Sequence, residues 1–500
     1  MQPAGGEPSR SATPDPLAAV APTLDGTAAS TARNASVLAI ATILSRLAMY
    51  ALAIVMQREL GATQYGHYGF ASALAVVLVP IADIGLTPYV IREVAQARES
   101  AEAALRTMLR VKLALTVGTT LVVGALAALL SDDTTFVAVV LVVVLSSLVD
   151  AVSLFVFGYF RGRERMGLEA WLTTVTSFAR ALGGIAFVLA THRLLPALLW
   201  VLGISVLQLV AAAVRLRRGV SGPILRGRGG GTVHWRTVSA IGSIAVLTMI
   251  YTRADAVLVQ WIDGSHETGL YTAAYTLMLG LQIVPWIIST ALVPVFARTR
   301  ETEPALFERS WHEGMRAVMV VALPLSLVVC LLSSPILVQI SGAEFGPAAT
   351  SLAILVWCSP LAAFNSVITA VLRAARREDW LTRASAAGVV MNVGLNLWAI
   401  PTFGIGGAAA VTVSTEIVIS AVLGGLAIRG GIVPVPRLPY AGLTLALGLL
   451  AAVALTGRGV LPLAVLVAAA LAAFAVVALV ARVVGRRDIE LVRGALASRR

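Results

Sequence analysis

The stretch Leu461-Pro-Leu-Ala-Val-Leu-Val-Ala-Ala-Ala-Leu-Ala-Ala-Phe-Ala-Val-Val-Ala-Leu-Val480 runs for twenty residues without a charge. A helix of that length rises about 30 Å, the thickness of the hydrocarbon core of a bilayer. Phe136-Val-Ala-Val-Val-Leu-Val-Val-Val-Leu-Ser-Ser-Leu-Val149 is almost as apolar. Working outward, comparable stretches recur at 37–57, 68–90, 111–130, 135–158, 168–190, 194–214 and 238–262. They continue at 270–295, 316–336, 347–370, 381–400, 405–428, 438–457 and 461–482. About fourteen helices joined by short connections would satisfy every backbone group internally, as hydrocarbon requires. Composition agrees. Of 500 residues, 58% are hydrophobic and 13% charged, and mean hydropathy is +0.87. A soluble domain, with about 25% charged residues, covers itself in a way this chain cannot.

The net charge of +12 raises the thought of nucleic acid, but its placement points to topology. With the N-terminus inside, 32 of the 38 Lys and Arg fall in the two tails and in every second loop. Only Arg58, Arg193 and Arg458 lie in the opposite loops, while Arg46, Arg180 and Arg253 lie inside spans. That is the bias of the positive-inside rule, with both termini cytoplasmic. Residues 1–36, rich in Ala, Pro, Ser, Thr and Gly, read as a disordered cytoplasmic tail and not as a signal peptide. The segment Ile91 to Arg110 reads as an amphipathic surface helix or a plain loop. Arg226 to Gly231 lacks the Lys-Ser/Thr ending of a nucleotide loop and reads as a linker. Cys330 and Cys358 lie in apolar stretches, and their spacing suggests no metal site.

The halves of the chain resemble one another. Gly66-His-Tyr68-Gly-Phe-Ala71 opens the second span and Gly269-Leu-Tyr271-Thr-Ala-Ala274 the eighth. Arg161 to Gly184 corresponds approximately to Arg373 to Asn396. Two parallel six-helix lobes follow, at 37–214 and 238–428, joined by a basic linker at 215–237. Two peripheral helices at 429–482 and a basic cytoplasmic tail at 483–500 complete the chain. Transporters built from such repeats place their working cavity between them.

Ionisable side chains in hydrocarbon are costly and raise functional questions. Arg46, Arg180 and Arg253 could together line a cationic cavity, since guanidinium groups pair well with phosphate oxygens. A lipid with a diphosphate head and an apolar tail would match it. Alternatively Arg253 and Asp255 could hold the bundle together with Asp150 or Asp83 as buried polar contacts, or Arg46 could snorkel to an interface. Asp255 and Glu416 could be ion-coupling sites or members of a structural pair. Pro80, Gly85 and Pro88 in the second span, and Pro285 and Pro294 in the eighth, could kink their helices. Neither a nucleophile, a metal cage nor an acid pair has convincing spacing.

Gly61-Ala-Thr-Gln-Tyr65-Gly66-His-Tyr68-Gly-Phe-Ala, followed by Ile81-Ala-Asp83-Ile-Gly85-Leu, resembles the amino-terminal signature of bacterial polysaccharide flippases. These O-antigen and exopolysaccharide translocases belong to the multidrug/oligosaccharidyl-lipid/polysaccharide exporter superfamily. Ala254-Asp255-Ala-Val-Leu-Val-Gln260 with Thr268-Gly269-Leu-Tyr271 is similar to a later signature, as is Asn392-Val-Gly394-Leu-Asn396-Leu-Trp-Ala-Ile-Pro401-Thr-Phe-Gly404-Ile-Gly-Gly407. The resemblance spans residues 36–430. It implies two lobes in the bacterial cytoplasmic membrane moving undecaprenyl-diphosphate-linked oligosaccharide by alternating access, without a cofactor. Membrane lipids, a polysaccharide polymerase and glycosyltransferases are the partners it suggests. Asn392 and Asn396 could touch a sugar or support a helix break before Pro401. Peptidoglycan-precursor flippases, ion-coupled multidrug antiporters, and a polymerase or ligase acting on lipid-linked sugars stay open as alternatives.

Overall fold

The computed structural model describes residues 21–96, 101–220 and 233–481. Most of the two expected tails and the centre of the basic linker lie outside these residues. The described chain is helical throughout, in two bundles. The first contains α1 (Ala21–Asp83), α2 (Leu86–Gln96), α3 (Ala101–Leu130), α4 (Thr134–Gly162), α5 (Gly167–Thr191) and α6 (Leu194–Gly219). The second contains α7 (Trp235–Ile262), α8 (Gly264–Leu281), α9 (Ile283–Thr302), α10 (Pro304–Leu331), α11 (Ser333–Ser341), α12 (Ala349–Leu355), α13 (Cys358–Ala374) and α14 (Glu378–Arg429). Finally, α15 (Tyr440–Thr456) and α16 (Leu463–Val480) pack on α10, with Leu450 and Phe474 meeting Val328 and Leu332.

Among the described residues, nine helical segments are long and apolar enough to cross a membrane, against the fourteen spans expected. Two of the five missing spans are accounted for by two long rods. Ile40–Asp83 and Glu378–Arg429 count once each, although they contain 44 and 52 residues. A straight 52-residue helix would reach about 78 Å, more than twice the hydrocarbon thickness. Each rod is broken at one glycine, Gly61 (φ 76°) and Gly404 (φ 58°), in a backbone region that L side chains avoid. The turn at Gly404 follows Pro401, and a Cβ on Gly407 would lie 2.3 Å from the Ala399 carbonyl. The signature Pro401-x-x-Gly404-x-x-Gly407 is therefore a helix-reversing element.

Helix α1 begins at Ala21, within the segment 1–36 expected as a tail. The segment 91–110 is described at 91–96 and 101–110, both helical. Its first part completes α2, and its last part opens α3, where Leu105 and Met108 are fully buried against Phe155. The break foreseen around Gly85 is present: Ile84 (φ 46°) and Gly85 (φ 87°) separate α1 from α2. Asp83 bridges it, accepting from Thr87 N (3.2 Å) and Thr87 Oγ1 (2.6 Å), as a carboxylate does at the start of a helix.

The bundles meet along the second half of α1. A Cβ on Gly66 would stand 1.8 Å from the Ser265 carbonyl oxygen, and one on Gly269 would stand 1.8 Å from that of Ala62. A Cβ on Gly69 would stand 2.3 Å from Thr272 Oγ1. These are the paired positions of the internal repeat, so the repeated glycines are the points where equivalent helices cross. Small residues let helix backbones approach this closely in a membrane. Around the crossing, Tyr65 and Thr276 hydroxyls lie 3.1 Å apart, and Ser341 Oγ donates to Gln57 Oε1 at 2.6 Å. At the other end of the seam, a Cβ on Gly85 would stand 2.4 Å from the Val238 carbonyl.

Candidate functional site

Between these two pinch points lies a cavity of about 620 Å³. From the first bundle it receives Arg46 and Val76, and the second supplies the rest of its wall. Arg46 sits on the first half of α1. Arg253 comes from α7, and its guanidinium lies 4.3 Å from the centre of the Tyr275 ring on α8. That geometry is a cation–π contact. Tyr275 is held by its own hydroxyl, which donates to the Thr252 carbonyl at 2.9 Å. Arg373, at the end of α13, is the third guanidinium in the wall. Facing the three is one carboxylate, Glu416 on α14, which accepts from Asn365 Nδ2 at 2.8 Å.

Of the three arginines expected to share a cavity, two do so. Arg180 is elsewhere. Its guanidinium makes a forked pair with Asp150, Nη1 to Oδ2 at 2.9 Å and Nη2 to Oδ1 at 2.7 Å. Nη2 also donates to Gln208 Oε1 at 3.1 Å, and Gln208 in turn accepts from Thr176. This network ties α4, α5 and α6 together inside the first bundle. Asp83 is likewise engaged, with Lys112 Nζ 2.7 Å from its carboxylate and Lys112 fully buried. Asp83 and Asp150 are thus internal counter-ions of the first bundle.

Asp255 is fully buried behind the cavity wall. Its carboxylate accepts from Tyr271 Oη at 2.6 Å, Thr412 Oγ1 at 2.9 Å and the Ala256 N–H at 2.7 Å. Tyr271 is the repeat counterpart of Tyr68, so the signature tyrosine of the second half holds the signature aspartate. Asn392 lines the cavity, one helical turn before Asn396, which donates to it at 3.1 Å. Both are fully buried, and Asn392 Nδ2 and Asn396 Oδ1 have no hydrogen-bond partner among the described residues. The amides therefore do not support the break before Pro401 through hydrogen bonds of their side chains. No cluster of three or more His, Cys, Asp or Glu side chains able to hold a metal ion occurs among the described residues.

Two wall residues were not singled out in the sequence. Arg373 is masked there by its neighbours Arg376, Arg377 and Arg383, which make it look like one more cytoplasmic loop charge. Asn365 had a readable signal, being the one amide side chain in the apolar stretch 347–370.

Two helical bundles joined at a glycine seam, with an arginine-bearing cavity between them, are the architecture of a membrane transporter. Solved membrane transporters share this fold. The lipid II flippase MurJ in an inward closed conformation superposes with a TM-score of 0.70 at 12% identity, covering 90% of this chain and 99% of that one. An inward-facing multidrug resistance transporter of the MATE family gives 0.65 at 16% identity, covering 77% and 94%. The chain belongs to the polysaccharide biosynthesis protein family, whose pattern matches residues 31–300, more than half its length. A second family, MatE, matches residues 241–398. Among curated relatives, the EPS I polysaccharide export inner membrane protein EpsE of Ralstonia nicotianae is 24% identical over 267 residues. That alignment spans 47% of this chain and 61% of EpsE.

Proposed function

We propose that this protein is a flippase that carries polyprenyl-diphosphate-linked oligosaccharide across the bacterial cytoplasmic membrane by alternating access, for assembly of a surface polysaccharide. The observation that carries the proposal is the cavity wall, where Arg46, Arg253 and Arg373 face the single carboxylate of Glu416. A diphosphate brings negative charge and oxygen acceptors, for which guanidinium forks are well suited. A cavity built for organic cations would carry the opposite balance. The export role in the printed name of EpsE and membership of the polysaccharide family favour a lipid-linked sugar as cargo.

Fourteen spans fit this reading. Dividing α1 at Gly61 and α14 at Gly404 turns nine membrane-length segments into eleven. Helix α7, the α8–α9 pair and α15 supply three more. With that count the Lys and Arg bias sets both termini in the cytoplasm. The Gly66–Gly269 crossing then lies towards the outer face and Gly85 towards the inner. Asp255 and Glu416 are the candidate groups for coupling to a proton or cation gradient.

The test is transfer of a labelled undecaprenyl-diphosphate oligosaccharide between leaflets of proteoliposomes. Protein-dependent transfer that fails in folded Arg46→Gln and Arg253→Gln variants is the expected result. Efflux of a soluble organic cation, with no lipid transfer across a panel of lipid-linked sugars, would replace this reading with an antiporter. Asp255→Asn should remove any dependence of transfer on an imposed ion gradient, and dependence that persists would exclude Asp255 from coupling.

A further inference from the structure

A second cavity, of about 530 Å³, lies on the other side of the second half of α1. Val76 of that helix faces the cationic cavity, whereas Phe70, Leu74 and Leu78 face this one. The helix is therefore a partition one helix thick. The far wall is α3, through Val122, Leu126 and Leu130, which are 58%, 51% and 59% exposed. From the second bundle come Val257, Gln260 and Trp261 of α7 and Ser265 of α8. The groove thus straddles the seam between the bundles, and Ser265 is the residue whose carbonyl meets Gly66 at the crossing.

Its chemistry is graded along its length. Polar side chains gather at one end, where His67, Ser131, Asp133, Gln260 and Ser265 ring the mouth. Gln260 Nε2 donates to Ser265 Oγ at 2.9 Å, but its buried Oε1 has no partner among the described residues. Below the mouth the lining is hydrocarbon. From Val122 to Leu130 the groove follows α3 for about 12 Å, close to the depth of one leaflet. A pocket with a polar rim at headgroup level and an apolar shaft one leaflet deep suits a lipid chain.

We infer that this groove receives the polyprenyl tail of the transported lipid as it leaves for the outer leaflet. The inference rests on the flippase reading and adds the route of the tail. Separation of the bundles at Gly66 and Gly269 would move the α1 partition, joining the cationic cavity to the groove. The diphosphate sugar would then emerge at the rim while the tail stays in hydrocarbon throughout. Bulk phospholipid would find the same shaft, but a groove lined from both bundles changes shape with the transport cycle, which suits a cargo and not a permanent annular lipid.

The experiment compares two lipid-linked oligosaccharides with the same sugar, one on an undecaprenyl tail and one on a tail of a few isoprene units. Leu126→Trp and Leu130→Trp fill the shaft, and Leu129→Trp is the control on the same helix, 80% exposed and outside the groove. The expected result is transfer of the long-tailed lipid slowed about tenfold in the two groove variants, the scale of losing a few buried methylene groups. Short-tailed transfer and the control stay unchanged. Equal slowing of both substrates, or of neither, would overturn the inference. A wild-type protein that moves neither lipid would instead overturn the flippase reading. Photolabelling of residues 122–130 by a diazirine-tailed undecaprenyl diphosphate, displaced by unlabelled undecaprenyl diphosphate but not by phospholipid, gives an independent check. Labelling displaced equally by phospholipid would assign the groove to bulk lipid.

Discussion

Arg180 and Arg253 are the same residue type, each placed inside an apolar helix, one in each bundle. The first bundle answers Arg180 with Asp150 and Gln208 from the neighbouring helices α4 and α6, so the charge is neutralised where it stands. The second bundle answers Arg253 with the face of Tyr275, and among the described residues Arg253 forms no ion pair. A quadrupole stabilises a cation without cancelling it. Arg253 therefore keeps its charge and its donors for whatever enters the cavity, while Arg180 has spent both on the fold. The asymmetry extends to the acids: Asp83 and Asp150 have cationic partners, whereas Asp255 and Glu416 are held by neutral donors. Arg46 of α1 apart, which lines the cavity, the first bundle is the more closed electrostatic unit and the second the more open one.

The largest test of this division falls on the hinge both bundles share. Gly66→Leu and Gly269→Leu each place a side chain where a backbone carbonyl lies 1.8 Å from the new Cβ. Backbone cannot rotate away as a side chain can, so the bundles must part there. Transfer in proteoliposomes should be abolished in both variants, with helix content by circular dichroism unchanged. Wild-type transfer in either variant would show that the crossing opens freely and does not limit the cycle.

Next comes the closed unit itself. Arg180→Met leaves Asp150 without its cation, and breaking a buried pair from one side costs about 3–5 kcal/mol. Thermal unfolding in detergent should drop sharply for Arg180→Met and for Asp150→Met alone. The double variant should recover most of the loss, because no unpaired charge remains, and should still transport. Loss of transport in a stable double variant would mean that Arg180 acts on cargo after all, and the contrast between the bundles would fail.

Arg46→Gln and Arg253→Gln reverse the pattern. In both variants transfer falls by about tenfold or more on losing a charge-assisted contact, and for Arg253→Gln, whose arginine forms no ion pair among the described residues, the unfolding temperature should shift little. A variant with an unfolding loss as large as that of Arg180→Met would place its arginine among the structural ones.

The sequence carried the distribution of apolar segments and the cost of each buried charge, because both depend on the bilayer and not on neighbours. Thus Arg46, Arg180 and Arg253 stood out together. What separates them is the identity of the residues across the helix interface, at separations such as the 30 positions from Asp150 to Arg180, and no periodicity encodes that. The same limit hid Arg373, whose neighbours in sequence are loop arginines although it shares the cavity wall with Asn365 and Glu416. The signature glycines were legible as a repeat, but their meaning as a contact between the two copies needed the third dimension. The turns at Gly61 and Gly404 are tighter than the loops expected there, since a single left-handed glycine reverses the chain where several residues were allowed.

The smallest effect resolves what Tyr275 contributes. Its ring faces Arg253, and its hydroxyl donates to the Thr252 carbonyl one residue before that arginine. Tyr275→Phe keeps the ring and removes one hydrogen bond, a change worth about 1 kcal/mol. Tyr275→Leu removes the π face as well, which contributes about 0.5–2 kcal/mol to holding a guanidinium. Transfer should be close to wild type for phenylalanine and reduced severalfold for leucine, with KM for the lipid-linked sugar carrying the change. Should phenylalanine fall as far as leucine, the hydroxyl anchors the arginine through the α7 backbone. The open charge of the second bundle would then depend on a hydrogen bond of the kind that closes the first.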